Sequence, residues 1–160
     1  MGFALQNRGA LFLLDPSKPD ALAPRKRPFH TIIPAFMEHG DDHIAFGIMG
    51  GANQPLAHAQ FVSNVVDYGM NLQAAMETAR FTVRDNFDLT CKILIEDRVP
   101  VEVRQQLSGM GHQLVVRGDF SLLMGRGQAI DHNTSSGMNF AASDARTDGS
   151  AEPELPPPLR

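Results

Sequence analysis

Two adjacent glycines, Gly50 and Gly51, carry the strongest chemical signal in the sequence. They follow the apolar run 44–49 and precede Pro55 and a long amphipathic stretch, which predicts a buried strand, a tight turn and then a helix. Glycine allows positive φ and leaves its N–H group unshielded. A strand-to-helix turn of this kind can bind an anion, or the oxyanion of an acyl-transfer reaction. A plain tight turn that uses glycine for steric reasons is the alternative, and spacing alone leaves both open.

Composition narrows the classes of protein that the sequence can encode. The 160 residues are 42% hydrophobic, enough to bury a core, and carry a formal net charge of −4. A negative charge without a basic stripe argues against nucleic-acid binding, and no run of about 18 apolar residues predicts a membrane span. Residues 1–8 lack a basic region followed by an apolar one, so no signal peptide is predicted. The compartment, cytoplasmic or periplasmic, is left open.

Two groups of reactive side chains have simple structural interpretations. Cys91 is the single cysteine, which excludes an internal disulfide. Nothing near it in sequence would lower its pKa, so it is predicted to be a small core residue rather than a nucleophile. A second group has no known metal spacing and falls on a turn that needs polar residues, so no metal site is predicted there: His39, Asp41, Asp42 and His43.

The elements around the glycine turn follow from periodicity and from turn residues. Residues 30–37 and 43–49 are predicted to form a β-hairpin. Pro55 opens a helix over 56–68, and Gly69 ends it. Its apolar residues recur at helical spacing, with Phe61 at the flank: Leu56, Ala59, Val62, Val65 and Val66. Asn71 caps a second helix, whose apolar stripe is Leu72, Ala75, Met76 and Ala79.

The rest of the chain predicts an α+β fold. Short strands are predicted at 3–7, 81–83, 92–96, 112–117, 125–130 and 137–143, with a further apolar run at 11–14. Four prolines make 15–28 a loop. Pro100 opens a helix that turns Val103, Leu107 and Met110 inward. Hairpins mixed with segregated helices indicate a largely antiparallel sheet. The Gly-x-Gly at 125–127 lacks a third glycine and a following helix, so it is a weak nucleotide-binding signal.

Seven ordered motifs together resemble one family. They are LQNRG at 5–9, KRPFHTIIP at 26–34, GIMGG at 47–51, DYGMN at 67–71, ARF at 79–81, GRGQA at 125–129 and ASDARTDG at 142–149. In this order they resemble the small subunit of the gamma-glutamyltranspeptidase family, which are N-terminal-nucleophile hydrolases that include cephalosporin acylase-like members. The resemblance assigns residues 1–150 to a small-subunit-like portion and leaves 151–160 as a proline-rich tail.

The resemblance implies a fold and a reaction. The fold is a four-layer αββα sandwich made from two subunits cut from one precursor, of which this chain is the incomplete, small-subunit part. The nucleophile is a threonine at the new N-terminus, which forms an acyl-enzyme that water or an amine resolves. Thr31 lies inside a motif and is not assigned that role. The sequence is therefore expected to be a fragment that is inactive alone, because its nucleophile lies outside it.

The family's site residues carry over onto seven positions. The oxyanion-hole glycines correspond to Gly50 and Gly51. Substrate contacts after Lys-Arg-Pro correspond to His30 and Thr31, where glutamyl-specific members have two serines for the substrate α-carboxylate. The Asn-Gln pair of those members corresponds to Asn7 and Arg8, and the acidic residue three positions after that Gln corresponds to Leu11.

These departures change the expected substrate. Leu11 cannot hold an ammonium group, and Arg8 repels one at close range. The resemblance therefore favours an acyl group with an extra carboxylate and no free amine over a gamma-glutamyl group. Two structural alternatives stay open: Arg8 as a turn residue paired with a neighbouring acid, and His30 as a satisfied core histidine.

Two functions are consistent with these observations. The first is a gamma-glutamyltransferase-like amidohydrolase or acyltransferase acting on a small-molecule amide, with no cofactor and no metal. The second is a non-catalytic scaffold or ligand-binding module derived from the same fold. The expected partner is the large subunit, or a missing N-terminal part of the same precursor. Uncovered apolar surface and strand edges also predict that the isolated chain forms homo-oligomers.

Overall fold

The computed structural model describes residues 6–83 and 92–153, and the chain divides into two compact units, Met1–Ile32 and Ile33–Arg160. Cys91 and residues 3–5 of the first predicted strand lie outside the described residues. The strands are β1 (Ala35–His39), β2 (Asp42–Met49), β3 (Phe81–Val83), β4 (Ile93–Glu96), β5 (Leu114–Arg117), β6 (Arg126–Asn133) and β7 (Asn139–Ser143). The α-helices are α1 (Gln54–Val66), α2 (Leu72–Glu77) and α3 (Val101–Gly109).

The first unit has little regular structure. A 3-10 helix spans Arg8–Leu11, and a single parallel bridge joins Leu13 to Ala21. The predicted proline-rich loop at 15–28 is confirmed, because apart from the Ala21 end of that bridge it forms no helix or strand. In the apolar run at 11–14, Leu11 ends the 3-10 helix, Leu13 takes part in the bridge, and Leu14 is 90% exposed.

The second unit contains two sheets. The first has the order β1-β2-β6-β7, and all of its neighbouring strands are antiparallel. The second has the order β3-β4-β5, in which β4 and β5 are parallel and α3 connects them. The prediction of an α+β fold with a largely antiparallel sheet is therefore confirmed. None of the helices in residues 6–83 and 92–153 has the length and apolar character needed to cross a membrane.

The main core lies between the four-stranded sheet and the helices α1 and α2. Alternate residues of β2 point into it, and Ile44 and Ile48 are almost completely buried. Phe46 packs against Phe61 of α1, with ring centroids 4.8 Å apart. Met76 of α2 is fully buried in the same cluster. Burying each of these side chains contributes about 1.5–3 kcal/mol to folding. This core fixes where β2 ends and α1 begins.

Three details of the prediction were wrong. Helix α1 begins and ends two residues earlier than predicted. Of its predicted stripe, Val62 and Val65 pack against the core, whereas Ala59 and Val66 are exposed and the fully buried side chains are Ala57 and Phe61. Its many apolar residues cover several sides of the helix, and the aromatic contact with Phe46 decides which side is buried. The first hairpin strand starts at Ala35, so His30 is not in a strand.

The predicted inward face of α3 was also wrong. Val103 is 41% exposed, Met110 is 75% exposed, and no residue of α3 is buried. By contrast, the stripe of α2 is confirmed at Leu72, Ala75 and Met76. Helical periodicity identifies an apolar face, but only tertiary packing decides whether that face is covered.

Candidate active site

The Gly50–Gly51 turn lies between the end of β2 and the start of α1, as predicted. Gly50 has φ of 157° and Gly51 has φ of 61°, values that side-chain-bearing residues rarely adopt. A one-turn 3-10 helix, Gly51–Asn53, leads directly into the 13-residue helix α1. The glycines are therefore needed for the backbone conformation, and the N-terminal end of a helix dipole lies next to them.

The two glycines use their carbonyl groups but not their amide groups. Asn53 N–H donates to Gly50 O at 3.2 Å, and Gln54 Nε2 donates to Gly51 O at 3.1 Å. Within the described part of the chain, neither glycine N–H donates a hydrogen bond. Gly51 is exposed and Gly50 is partly exposed. Two amide donors next to a helix N-terminus can bind a developing oxyanion.

A third glycine, Gly125, packs against this turn. A side chain at Gly50 would place Cβ 3.3 Å from Gly125 Cα, and a Cβ on Gly125 would lie 2.5 Å from Met49 O. The motif at 125–127 is therefore a close-packing element beside the turn. Its start lies next to the end of β2, because Met49 and Arg126 are paired.

A buried ion network lies behind Gly125. Arg80 Nη1 contacts Asp144 Oδ2 at 2.8 Å, and Arg146 contacts Asp144 Oδ1 at 3.0 Å and Glu96 Oε2 at 2.6 Å. All four side chains are at most 2% exposed. A third arginine, Arg98, is 24% exposed and contacts Glu96 Oε2 at 2.8 Å. Their mutual pairing satisfies charges that would otherwise be very costly to bury. The network joins the two sheets, because Glu96 ends β4 and Asp144 follows β7.

The same network holds the backbone beside the glycine turn. Gly127 N–H donates to Asp144 Oδ2 at 3.1 Å, and Arg80 Nη1 donates to Gly125 O at 3.3 Å. Burial by itself would raise the pKa of Glu96, but hydrogen bonds from Arg146 and from Arg80 N–H, with the nearby positive charges, outweigh it and lower that pKa. Glu96 is thus ionised and fixed. Its role was missed, because the sequence places it only at the end of a strand.

The remaining predicted site residues belong to the first unit. Arg8 Nε donates to Thr31 Oγ1 at 3.1 Å, so the structure brings these two residues together across 23 positions. Arg8 thus contacts a hydroxyl group, whereas the structural alternative was that it pairs with a neighbouring acidic side chain. His30 is exposed, which excludes a core histidine, and its Nδ1 accepts from Ile32 N–H at 3.2 Å. Asn7 is exposed and its side chain makes no cap hydrogen bond.

The polar residues in and next to the turn at 38–42 make structural contacts. Gly40 has φ of 64° and joins β1 to β2. His43 Nδ1 lies 3.8 Å from Glu38 Oε1, and Asp42 Oδ1 accepts from Asn133 Nδ2 at 2.6 Å. Among the described residues, no three histidine, cysteine or acidic side chains are grouped so that they could hold a metal ion.

The fold and the turn define a class of protein. An antiparallel sheet that ends in two glycines with unused amides, packed on a pair of helices, is the small-subunit part of an N-terminal-nucleophile hydrolase fold. Residues 1–154 match the gamma-glutamyltranspeptidase family. The chain belongs to that family.

Several relatives share most of this chain but are longer. The glutathione hydrolase-like YwrD proenzyme of Bacillus subtilis (strain 168) is 36% identical over 152 residues, which are 94% of this chain and 29% of the relative. The oxamate amidohydrolase proenzyme of Klebsiella pneumoniae is 35% identical, with the same coverage of 94% and 29%. Cephalosporin acylase from Bacillus halodurans aligns in structure with a TM-score of 0.73 and 39% identity, covering 93% of this chain and 27% of the acylase.

Proposed function

We propose that this chain supplies the oxyanion hole of a gamma-glutamyltransferase-like amidohydrolase, whose N-terminal threonine nucleophile lies outside the 160 residues. The observation that carries the proposal is the pair of unused amides at Gly50 and Gly51. In acyl transfer, the carbonyl oxygen of the substrate becomes negatively charged, and each such donor contributes about 3–4 kcal/mol of transition-state stabilisation.

The relatives support the reaction class. Their names describe a glutathione hydrolase-like protein, an oxamate amidohydrolase and a cephalosporin acylase, all of which are hydrolases of amides or acyl compounds. The chain spans 27–29% of the length of these three proteins. The complete reaction therefore needs residues that the chain does not contain.

The first unit supports a preference for acyl groups that carry a carboxylate. Arg8 and Thr31 are hydrogen-bonded, so a guanidinium and a hydroxyl are presented side by side. This combination binds carboxylates by charge-assisted hydrogen bonds. Leu11 is 38% exposed and offers no charge for an ammonium group. We assign Arg8 and Thr31 to this recognition, with the exposed His30 and Asn7 as further substrate contacts.

The four-stranded sheet has an uncovered face that supports a protein partner. Cross-strand neighbours on the side opposite the core are Phe36, Ala45, Ile130 and Ala141. Phe36 is 61% exposed and Ile130 is 48% exposed. We assign this face to the second sheet of the sandwich, provided by the large subunit or the missing part of the precursor. In the isolated chain the same face drives homo-oligomerisation, which light scattering over a range of concentrations would detect.

A hybrid proenzyme tests the proposal. The chain replaces the matching 152 residues of the B. subtilis glutathione hydrolase-like proenzyme. We expect self-cleavage of the hybrid and hydrolysis of acyl-p-nitroanilides, whereas the 160-residue chain alone gives no turnover. Turnover by the chain alone would refute an external nucleophile. A folded hybrid that neither cleaves itself nor forms an acyl-enzyme would favour the non-catalytic scaffold instead.

The same hybrid tests specificity. We expect kcat/KM to be higher for glutaryl-p-nitroanilide than for gamma-glutamyl-p-nitroanilide. Both substrates carry a carboxylate, but Arg8 repels the α-ammonium group of the gamma-glutamyl substrate and Leu11 cannot bind it. Arg8→Gln should remove most of that difference, with Arg25→Gln in the exposed loop as the control. A preference for the gamma-glutamyl substrate of about tenfold, equal to about 1.4 kcal/mol, would contradict the assignment.

A further inference from the structure

One histidine beside the glycine turn has no part in the proposed chemistry. His58 lies in the second turn of α1, and its Nε2 accepts a hydrogen bond from Ile48 N–H at 2.9 Å. Ile48 is two residues before Gly50. The pairing of β2 with β1 ends at Phe46, opposite Ala35, so no residue of β1 is paired with Ile48. A side chain of the helix thus binds the backbone of the strand directly before the turn.

The hydrogen bond fixes the protonation state of the ring. Because a backbone N–H can only donate, Nε2 must present its lone pair, and the neutral ring carries its proton on Nδ1. The ring also meets Phe46 edge-on, with centroids 5.2 Å apart. A protonated ring would carry an N–H group at Nε2, which cannot accept from Ile48 and would face its N–H group.

We propose that His58 is a positioning residue, whose neutral ring holds the last residues of β2 and, through them, the Gly50–Gly51 turn in the conformation that binds an oxyanion. This inference rests on the proposed function for its catalytic consequence. Its structural part concerns only the contact between α1 and β2. Protonation of the ring breaks the contact and frees the edge of β2 that lies away from β6, while the pairing of Ile48 with Gly127 of β6 remains.

The surroundings of the ring set the pH range of this effect. Burial lowers the pKa of His58 from its usual value of 6.5, and no charged side chain on the described parts of β1, β2, β6 or α2 contributes to that shift. The contact is therefore intact above pH 6.5 and is lost as the pH falls through the lowered pKa. A positioning role thus predicts an acid limb in the rate below pH 6.5.

Nuclear magnetic resonance on the 160-residue chain tests the structural part without any turnover. We expect the His58 ring to be the Nδ1–H tautomer at pH 7.5. The amide resonances of Ile48, Gly50 and Gly51 should shift together with the His58 titration. In His58→Phe these shifts should disappear, and in the control His112→Gln, which alters an exposed histidine outside the helices, they should persist. If the glycine amide resonances do not shift as His58 titrates, or if the ring is the Nε2–H tautomer, the proposal is overturned.

The hybrid proenzyme tests the catalytic part. His58→Phe should lower kcat by about 10- to 100-fold, because small displacements of catalytic groups have effects of this size. His58→Gln, whose side-chain oxygen can accept from Ile48, should restore most of kcat. The α-amine of the N-terminal threonine, acting as base, gives an acid limb of its own in both proteins, so the contribution of His58 is the additional loss of rate below pH 6.5, which His58→Gln should lack. Identical pH profiles below pH 6.5 for the wild-type hybrid and His58→Gln would overturn the positioning role. If the wild-type hybrid has no activity but the amide resonances of Ile48, Gly50 and Gly51 still shift with the His58 titration, the proposed function fails. The contact between His58 and Ile48 is then still supported.

Discussion

Two glycine-rich turns lie at the same end of the four-stranded sheet, and they differ in whether their amide groups donate hydrogen bonds. In the turn at 125–127, Gly127 N–H donates to Asp144, and Gly125 N–H donates to Leu122 O. In the turn at 50–51, neither amide donates within the described residues. Both turns contain two glycines close together in the sequence. The unused donors, rather than the glycines themselves, distinguish a candidate site from a scaffold.

The largest effect is expected where the scaffold turn meets the ion network. Asp144→Ala leaves Arg80 and Arg146 buried without this carboxylate, which should lower the free energy of unfolding by about 3–5 kcal/mol. Urea denaturation of the 160-residue chain measures this. The exposed Asp148→Ala is the control and should change stability by less than about 0.5 kcal/mol. A loss below about 1 kcal/mol for Asp144→Ala would contradict a structural role for the network.

The network should also make the chain sensitive to acid. The pKa of Glu96 is lowered in the folded state from its usual 4.5. Its ionisation therefore stabilises the fold at pH values above 4.5, and this contribution is lost as the pH falls through the lowered pKa. Urea denaturation between pH 7 and pH 3 should show a steep loss below 4.5, and Glu96→Gln should flatten it. Equal acid limbs in both proteins would exclude Glu96 as the cause.

Smaller effects on stability are expected when a side chain is added to the tightly packed turn at 125–127. A Cβ on Gly127 would lie 2.3 Å from Met76 Sδ and 2.9 Å from Ile48 Cγ1. Gly127→Ala should therefore destabilise the chain by about 1–3 kcal/mol through overpacking. The exposed Gly109 of α3, where a Cβ meets nothing within 4 Å, provides the control Gly109→Ala. Similar stabilities for the two alanine variants would show that the scaffold turn is loosely packed.

The smallest effect is expected at the candidate site. Gly51 and Gly69 have nearly the same φ, 61° and 63°, and a Cβ at either meets nothing within 4 Å. Gly51→Ala and Gly69→Ala should each cost about 1–2 kcal/mol of stability, from positive φ alone. Thermal unfolding of the two variants gives the comparison. A much larger loss at Gly51 than at Gly69 would contradict the claim that positive φ alone sets the cost at this turn.

Local signals predicted much of the fold. The glycine turn, the hairpin closed by Gly40 and the cap at Asn71 depend on residues close in sequence, and each is where it was predicted. The buried side of α1 was predicted only in part. Val62 and Val65 pack against the core as predicted, but Phe61, which was placed at the flank, is buried by its contact with Phe46 of β2.

The candidate site was predicted less completely. Gly50 and Gly51 could be recognised from sequence, but it could not be predicted that their amides donate no hydrogen bond within residues 6–83 and 92–153. Arg80 and Asp144 stood in two separate motifs, and their pairing spans 64 positions, which no local pattern reports. His58 was missed because its contact with Ile48 depends on the packing of α1 against β2. Sequence patterns carry the least information about polar groups that pair across long stretches of the chain.

The central claim is that the amide of Gly51 stabilises an oxyanion, and removal of that amide tests it most directly. In the hybrid proenzyme, Gly51→Pro lacks the N–H group and Gly51→Ala keeps it. Because proline fixes φ at about −65°, Gly51→Pro also opposes the positive φ of Gly51, and Gly69→Pro imposes the same mismatch at the positive φ of Gly69, away from the turn. We predict a kcat for acyl-p-nitroanilide hydrolysis about 100- to 1,000-fold lower for Gly51→Pro than for Gly51→Ala, with Gly69→Pro resembling Gly51→Ala. Equal kcat values for folded Gly51→Pro and Gly51→Ala would contradict the oxyanion role.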